Sequence, residues 1–206
     1  MSEGTMSELD PARIGCITAS RISEMQAQGK GITRHRYACQ LAAERMTGRT
    51  HRSRFSNAST QHGNEFEEFA GQKYELRNGV LIEGTGKEFI KHQYVPFCGA
   101  SPDRFVGDDG LVEIKNPETH TFFRYWQTGE IPSDYRWQML MQLACTQRKW
   151  CDWVAHDPDM PDEFSFIQVR FEPTRSEISD LERDLRFFNA EIDQIILSIK
   201  EKRNAP

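Results

Sequence analysis

Residues 110–115 read Gly-Leu-Val-Glu-Ile-Lys, a run with the character of a buried strand that nevertheless carries two ionisable side chains. Leu111, Val112 and Ile114 supply the aliphatic and β-branched composition of a strand inside a sheet, where an unpaired charge is costly. Ionisable side chains in such a strand need a strong reason to be there. The preceding Gly107-Asp108-Asp109-Gly110 is a turn between two extended runs, so the chain comes back on itself here as a hairpin or meander spanning Val80 to Lys115.

Helical periodicity flanks this β region. Tyr37, Ala38, Leu41 and Ala42 predict a helix over Thr33–Thr47 that Gly48 terminates, and a second helix is expected over Gln61–Arg77, with Phe66, Phe69 and Tyr74 for packing and Asn78-Gly79 as its stop. Downstream, Tyr135–Thr146 reads as helix, and Trp150–His156 and Phe164–Phe171 as strands. A closing helix carries Ile178, Leu181, Leu185, Phe188, Ile192, Ile195 and Ile199 at steps of three and four, suited to packing on a core or on a neighbouring subunit. The order predicts an α/β (α+β) fold with a mixed central β-sheet flanked by helices. With 206 residues the chain buries roughly 70% of its unfolded surface, enough for one domain over 1–206 without disulfide or metal staples.

Five scattered cysteines with no CxxC pair point to reduced, mostly buried thiols, and the four tryptophans (126, 137, 150 and 153) to core positions. No apolar run approaches the roughly 20 residues that span a bilayer, and the first residues lack a basic start and an apolar signal core, so a cytoplasmic protein without membrane partners is expected. No GxxxxGK[ST] loop, HExxH or paired Cys/His spacing occurs, which leaves ATP-driven translocation and zinc without support. The net charge of −5 hides an asymmetry: Arg13–Arg54 holds nine Lys/Arg against two acids, +7, leaving −12 on the rest. That distribution suits local phosphate binding beside cation binding, or simply a solvated helical face.

Glu113 and Lys115 lie two apart on one strand and share a face, and the hairpin returns Asp103 towards them. Two carboxylates and a lysine at one point form an oxygen site for a hard cation with an ammonium beside it, the parts that phosphodiester hydrolysis needs. A solvated strand edge is the competing reading. Glu67 or Glu68 on the second helix is a candidate further carboxylate, or part of a wet helix face.

Pro102-Asp103, nine residues, then Glu113-Ile114-Lys115 resembles the PD-(D/E)xK nuclease signature. Arg13-Ile14-Gly15-Cys16-Ile17-Thr18-Ala19-Ser20 is similar to the RxGxxTAS segment of the bacteriophage lambda exonuclease (YqaJ-type viral recombinase) family. Segments 37–48, 63–67, 101–103 and 135–138 resemble the family's in the same order, so the resemblance runs from about Arg13 to His156. Leu9 stands where the family often has tryptophan, and 48–59 has no counterpart.

The resemblance implies a restriction-endonuclease-like core in which Asp103, Glu113 and the Ile114 carbonyl bind Mg²⁺, with Mn²⁺ able to substitute and two ions per site. Glu67 completes the acidic set and Lys115 assists the attacking water. It further implies that Arg13, Ser20, Ser101 and Gln138 hold a 5′-terminal phosphate, although Ser20 also reads as a helix N-cap and Gln138 as a solvent-facing amide. Arg49, Arg52 and Arg54 suit contacts to the duplex backbone.

The activity implied is a 5′→3′ exonuclease that degrades one strand of linear double-stranded DNA to mononucleotides and leaves a 3′ overhang. It would act as a homotrimeric ring with a single-strand-annealing recombinase, in a phage or prophage setting within a bacterial host. Two alternatives remain at this point: an endonuclease of the same superfamily, and a non-catalytic DNA-binding recombination scaffold.

Overall fold

The computed structural model describes residues 10–27, 32–50, 59–84, 86 and 88–204, leaving out the side chains of 59–65 and 204. Of the sequence-derived candidates, Arg52 and Arg54 lie outside the described residues.

Five strands form a mixed sheet in the order β2 (Ile82–Glu83), β5 (Arg104–Val106), β6 (Gly110–Lys115), β7 (Trp150–His156) and β8 (Phe166–Phe171). β6 is central, antiparallel to β5 and parallel to β7, with Glu113 level with Trp153 and Lys115 level with Ala155. A second, three-stranded sheet sets β4 (Cys98–Ala100) between β1 (Ile17–Thr18) and β3 (Ile90–Lys91). The meander expected over 80–115 is thus divided between two sheets, because β3 and β4 pair with the N-terminal β1 while β2 pairs with β5.

The central strands β6 and β7 are buried on both faces, as strands flanked on both edges and covered by helices must be, whereas the edge strand β8 exposes Gln168 and Arg170. Leu111, Cys151, Trp153 and Ala155 face α1 (Ile22–Gln26), α2 (Ile32–Thr47), α5 (Ser133–Thr146) and α6 (Arg175–Asn204) in the larger core. Val112, Ile114 and Val154 face Ala70 and Tyr74 of α3 (Ser59–Asn78) in the smaller one. The helix ends follow the stop signals: Gly48 and Gly79 take φ of 63° and 64°, and their amides close on the Glu44 and Glu75 carbonyls at 2.9 and 2.8 Å.

Several elements depart from expectation. Thr119–Thr128 forms a helix, α4, in a stretch whose threonines and aromatics favour strand. Phe122 and Tyr125 at helical spacing point it inward, and Gly129 in the left-handed region ends it. Trp126 on the outer side of α4 is 44% exposed rather than buried, its indole N–H donating to the Phe164 carbonyl at 2.8 Å. Phe164 lies in a 3₁₀ turn before β8 instead of within it. On α3 the positions facing the sheet fall to Ala70 and Tyr74, which leaves Phe69 on the flank, 54% exposed against the His156 ring. Cys39 is exposed, whereas the other four thiols are buried. In α6, Leu181, Leu185, Phe188 and Ile192 are buried, while Ile199 is 47% exposed.

Candidate active site

The site forms where the β5–β6 ladder stops. Pairing ends at Arg104 opposite Val112, and Asp103, just before β5, sends its side chain into the next ladder position: Oδ2 accepts from the Ile114 amide at 2.7 Å. A residue's N–H and C=O leave a strand on the same side, so the Ile114 carbonyl points towards Asp103 as well. Gly86, with φ of 69°, passes so close that a Cβ there would stand 3.7 Å from Asp103 Oδ1.

One strand position further along, Glu113 is fully buried on the α5 side. Its Oε1 accepts from the Lys115 ammonium and, at 2.5 Å, from the Gln138 amide, and its Oε2 accepts from the Gln142 amide at 2.5 Å. The Lys115 ammonium also stands 5.1 Å from the centre of the Tyr135 ring.

Electrostatics follow from this crowding. Burial, then the charges of Glu113 and Glu67, pushes the Asp103 carboxyl well above its ordinary pKa against the opposing pull of Lys115 and the Ile114 amide. Burial alone would lower the Lys115 pKa, but Glu113 and Asp103 outweigh it and raise it, so the ammonium stays protonated. Beside these two carboxylates Lys115 is therefore held as a charged donor. The neighbouring Cys151 thiol, pushed up by burial first and then by Glu113 and Asp103, is no nucleophile.

From the opposite face of the sheet, α3 brings Glu67. Its Oε1 accepts from Arg104 Nη1 at 2.7 Å, and the same nitrogen donates to the Asp103 carbonyl at 2.7 Å, so Arg104 ties Glu67 to the Asp103 backbone. Glu68 receives Arg104 Nη2 at 3.2 Å, but its side chain is 65% exposed against 24% for Glu67. Of the two candidates, Glu67 is the one turned towards the site. Among the described residues, no three His, Cys, Asp or Glu side chains gather tightly enough to hold an ion as they stand.

Of the residues singled out for a terminal phosphate, Arg13 and Ser101 meet directly, whereas Gln138 and Ser20 stand apart from them. Arg13 Nη2 donates to Ser101 Oγ at 2.5 Å, and that hydroxyl donates to the Glu88 carbonyl at 2.6 Å. Ser101 is two residues from Asp103, so this pair adjoins the carboxylates through the chain itself. Gln138 reaches the carboxylates directly, through Glu113. Ser20 is exposed on the 3₁₀ turn Ala19–Arg21, which packs near α5, and it does not cap α1, whose N-cap is Arg21. Arg49 is exposed beyond the end of α2.

Phe89 supports Arg13, with the guanidinium carbon 5.1 Å from its ring centre, and the ring lies on Gly99, where a Cβ would come within 2.3 Å of Phe89 Cζ. Gly99→Ala is accordingly expected to displace Phe89 and with it Arg13; if Arg13 holds a terminal phosphate, binding of 5′-phosphorylated duplex then weakens by about tenfold, the scale of one lost charge-assisted contact. Binding of a 5′-hydroxyl duplex should change little; fluorescence anisotropy on both substrates checks this.

Arg104 and Gln142 escaped the sequence reading. Arg104 had a signal, a charge next to Asp103 at the start of a short strand, and Gln142 had a fainter one, an amide one helical turn from Gln138 in the otherwise apolar run 139–145.

Residues 9–149 match the YqaJ-like viral recombinase domain. The chain belongs to this family. Over nearly its whole length it is also similar to LHK-Exo, an alkaline exonuclease from Laribacter hongkongensis, at 35% identity, with 93% of this chain and 95% of that chain covered and a TM-score of 0.83. For LHK-Exo in complex with dAMP the identity is 35%, the coverage 96% and 98%, and the TM-score 0.86. A phage-related exonuclease from Haemophilus somnus 129PT, 14% identical over 89% of this chain and 96% of that one with a TM-score of 0.69, shares the fold alone. No curated protein matches the chain. Membership in the YqaJ-like family together with the LHK-Exo likeness supports a nuclease of the exonuclease type. No helix among the described residues is long and apolar enough to cross a membrane.

Proposed function

We propose that this YqaJ-like protein is a Mg²⁺-dependent 5′→3′ exonuclease, with Mn²⁺ able to substitute, that degrades one strand of linear duplex DNA to mononucleotides and leaves a 3′ overhang. The observation that carries the reading is the convergence of Asp103, Glu113 and the Lys115 ammonium at the C-terminal end of β6. Residues 1–206 act as one nuclease domain with a PD-(D/E)xK core. The alkaline exonuclease activity named for LHK-Exo, and its complex with a nucleoside monophosphate, support the substrate class.

The donor set fits a hard divalent cation, because two buried carboxylates, one driven towards protonation by burial and then by the other's charge, are what such a cation relieves. Asp103, Glu113 and the Ile114 carbonyl would hold it, and Glu67 would extend the acidic set for a second ion. Bound there, Mg²⁺ supplies Lewis-acid activation of water and charge neutralisation at the phosphate.

The protein's own groups do the rest. Lys115 directs its ammonium at the attacking oxygen and at the charge that grows on the phosphoryl oxygens. Arg13, Ser20, Ser101 and Gln138 hold the terminal 5′-phosphate, which sets the reacting linkage one nucleotide from the end. Water adds to phosphorus, the bond to the 3′ oxygen breaks, and that oxygen leaves with the departing mononucleotide. The new end again carries a 5′-phosphate, so each cut regenerates the group that the site recognises. Arg49, Arg52 and Arg54 neutralise the duplex backbone. In a homotrimeric ring the basic quarter of each subunit lines the DNA path, and a single-strand-annealing recombinase receives the overhang in the bacterial cytoplasm.

The test is release of acid-soluble nucleotide from 5′-phosphorylated linear duplex, 5′-hydroxyl linear duplex and covalently closed circle, with Mg²⁺ or EDTA. Rapid Mg²⁺-dependent release from the phosphorylated linear DNA is expected. Cutting of the circle would favour the endonuclease, and no metal-dependent cleavage would favour the scaffold.

A further inference from the structure

We propose that Gln142 is the positioning residue that permanently fixes the Glu113 carboxylate, and that Gln138 holds the same carboxylate only until a 5′-terminal phosphate takes its amide. The proposal rests on the function proposed above and adds a residue that the family resemblance did not supply.

The two glutamines are one helical turn apart on α5 and donate to opposite oxygens of Glu113, at 2.5 Å each. Their surroundings differ. Gln142 is fully buried between Met141 and Leu143 and has Glu113 Oε2 as its partner; its own Oε1 is buried without a hydrogen-bond partner among the described residues. Turning that amide over would aim its oxygen at a carboxylate and bury both N–H groups unpaired, so the donor orientation is fixed. An amide in so apolar a position costs stability unless it serves a neighbour, and the neighbour here is a buried carboxylate.

Gln138, by contrast, is only half-buried and shares its acceptor oxygen with Lys115. If its amide is drawn to a phosphate, Glu113 retains both Gln142 and Lys115 and frees lone-pair capacity on Oε1 for a cation. Phosphate capture and cation affinity are then coupled, and the coupling is reciprocal.

Calorimetric titration with Mn²⁺ tests this, on free protein and on protein saturated with a duplex whose first linkage cannot be hydrolysed, carrying either a 5′-phosphate or a 5′-hydroxyl. Gln142→Met, of equal length and without a donor, is expected to weaken Mn²⁺ binding by about 10–100-fold in every arm, the usual consequence of losing a ligand's supporting hydrogen bond. Gln142→Asn, which keeps a buried amide but shortens it, should fall between the two and serves if the methionine variant fails to fold. Wild type should bind Mn²⁺ more tightly with the 5′-phosphate duplex than with the 5′-hydroxyl one, and Gln138→Ala should erase that difference.

Unchanged affinity in folded Gln142→Met and Gln142→Asn overturns the positioning role. Equal wild-type affinity on the two duplexes overturns the exchange. Absence of any wild-type Mn²⁺ binding that Asp103→Asn abolishes removes the metal site itself, and this proposal with it.

Discussion

Lys115→Met is expected to slow nucleotide release from 5′-phosphorylated duplex by at least about 10²–10³-fold, the loss typical of removing one preorganised donor from a developing negative charge. Methionine keeps the length and apolar stem and deletes only the ammonium. That ammonium is held against Glu113 Oε1 and kept charged by Glu113 and Asp103, so it is in place before substrate arrives. The loss should fall on kcat, with duplex affinity little changed, because Arg13 and Ser101 make their contacts elsewhere. Lys115→Arg should recover little: a planar guanidinium does not reproduce a compact ammonium pinned between a buried carboxylate and the Tyr135 ring. Single-turnover kinetics with anisotropy binding separate the two quantities. A loss confined to KM would show that Lys115 binds DNA and does not act at the reacting phosphate.

Asp103→Asn should abolish Mg²⁺-dependent release and at the same time stabilise the metal-free protein. Asparagine keeps an oxygen that accepts from the Ile114 amide, so the change isolates the charge. Because burial and Glu113 raise the folded-state pKa of Asp103, the folded protein holds a proton that the unfolded chain, with a carboxyl near 3.9, has released. Its contribution to stability is therefore complete below about pH 4 and is lost as pH rises through the raised value. The advantage of Asp103→Asn over wild type in EDTA should accordingly grow with pH, each kcal/mol appearing as roughly 2–4 °C in Tm for a chain of this size. Saturating Mg²⁺ should reverse the order, since only the carboxylate gains from the cation. Thermal melts from pH 5 to 9 with and without metal check this; a variant less stable than wild type in EDTA at every pH would contradict the placement of a strained carboxylate here.

The central part of the site was readable from local rules alone. Strand alternation joins Glu113 to Lys115, and the turn at 107–110 returns Asp103, so both relations survive in the folded chain. What needed three dimensions was everything that reaches β6 from a helix. Choosing Glu67 over Glu68 depends on how α3 is rotated over the sheet, which adjacent residues of one type do not reveal. Gln142 sits in Gln-Leu-Ala among core residues, and its purpose appears only when α5 lies over Glu113. Trp126 misled for a related reason: β-branched and aromatic residues concealed α4, and without that helix the indole had no outer side on which to stand.

The same limit governs the residues proposed for the terminal phosphate. Arg13 and Ser101 meet across 88 positions of sequence because β1 pairs with β4, a pairing with no local signature. Only an order of weak motifs, not spacing, linked them beforehand.

The most direct test of the account is anomalous scattering from crystals grown with Mn²⁺. Density on the Asp103 and Glu113 carboxylates beside the Ile114 carbonyl, lost in Asp103→Asn, is the result expected. Density instead on the exposed Asp108-Asp109 turn, with none at Asp103, would contradict it.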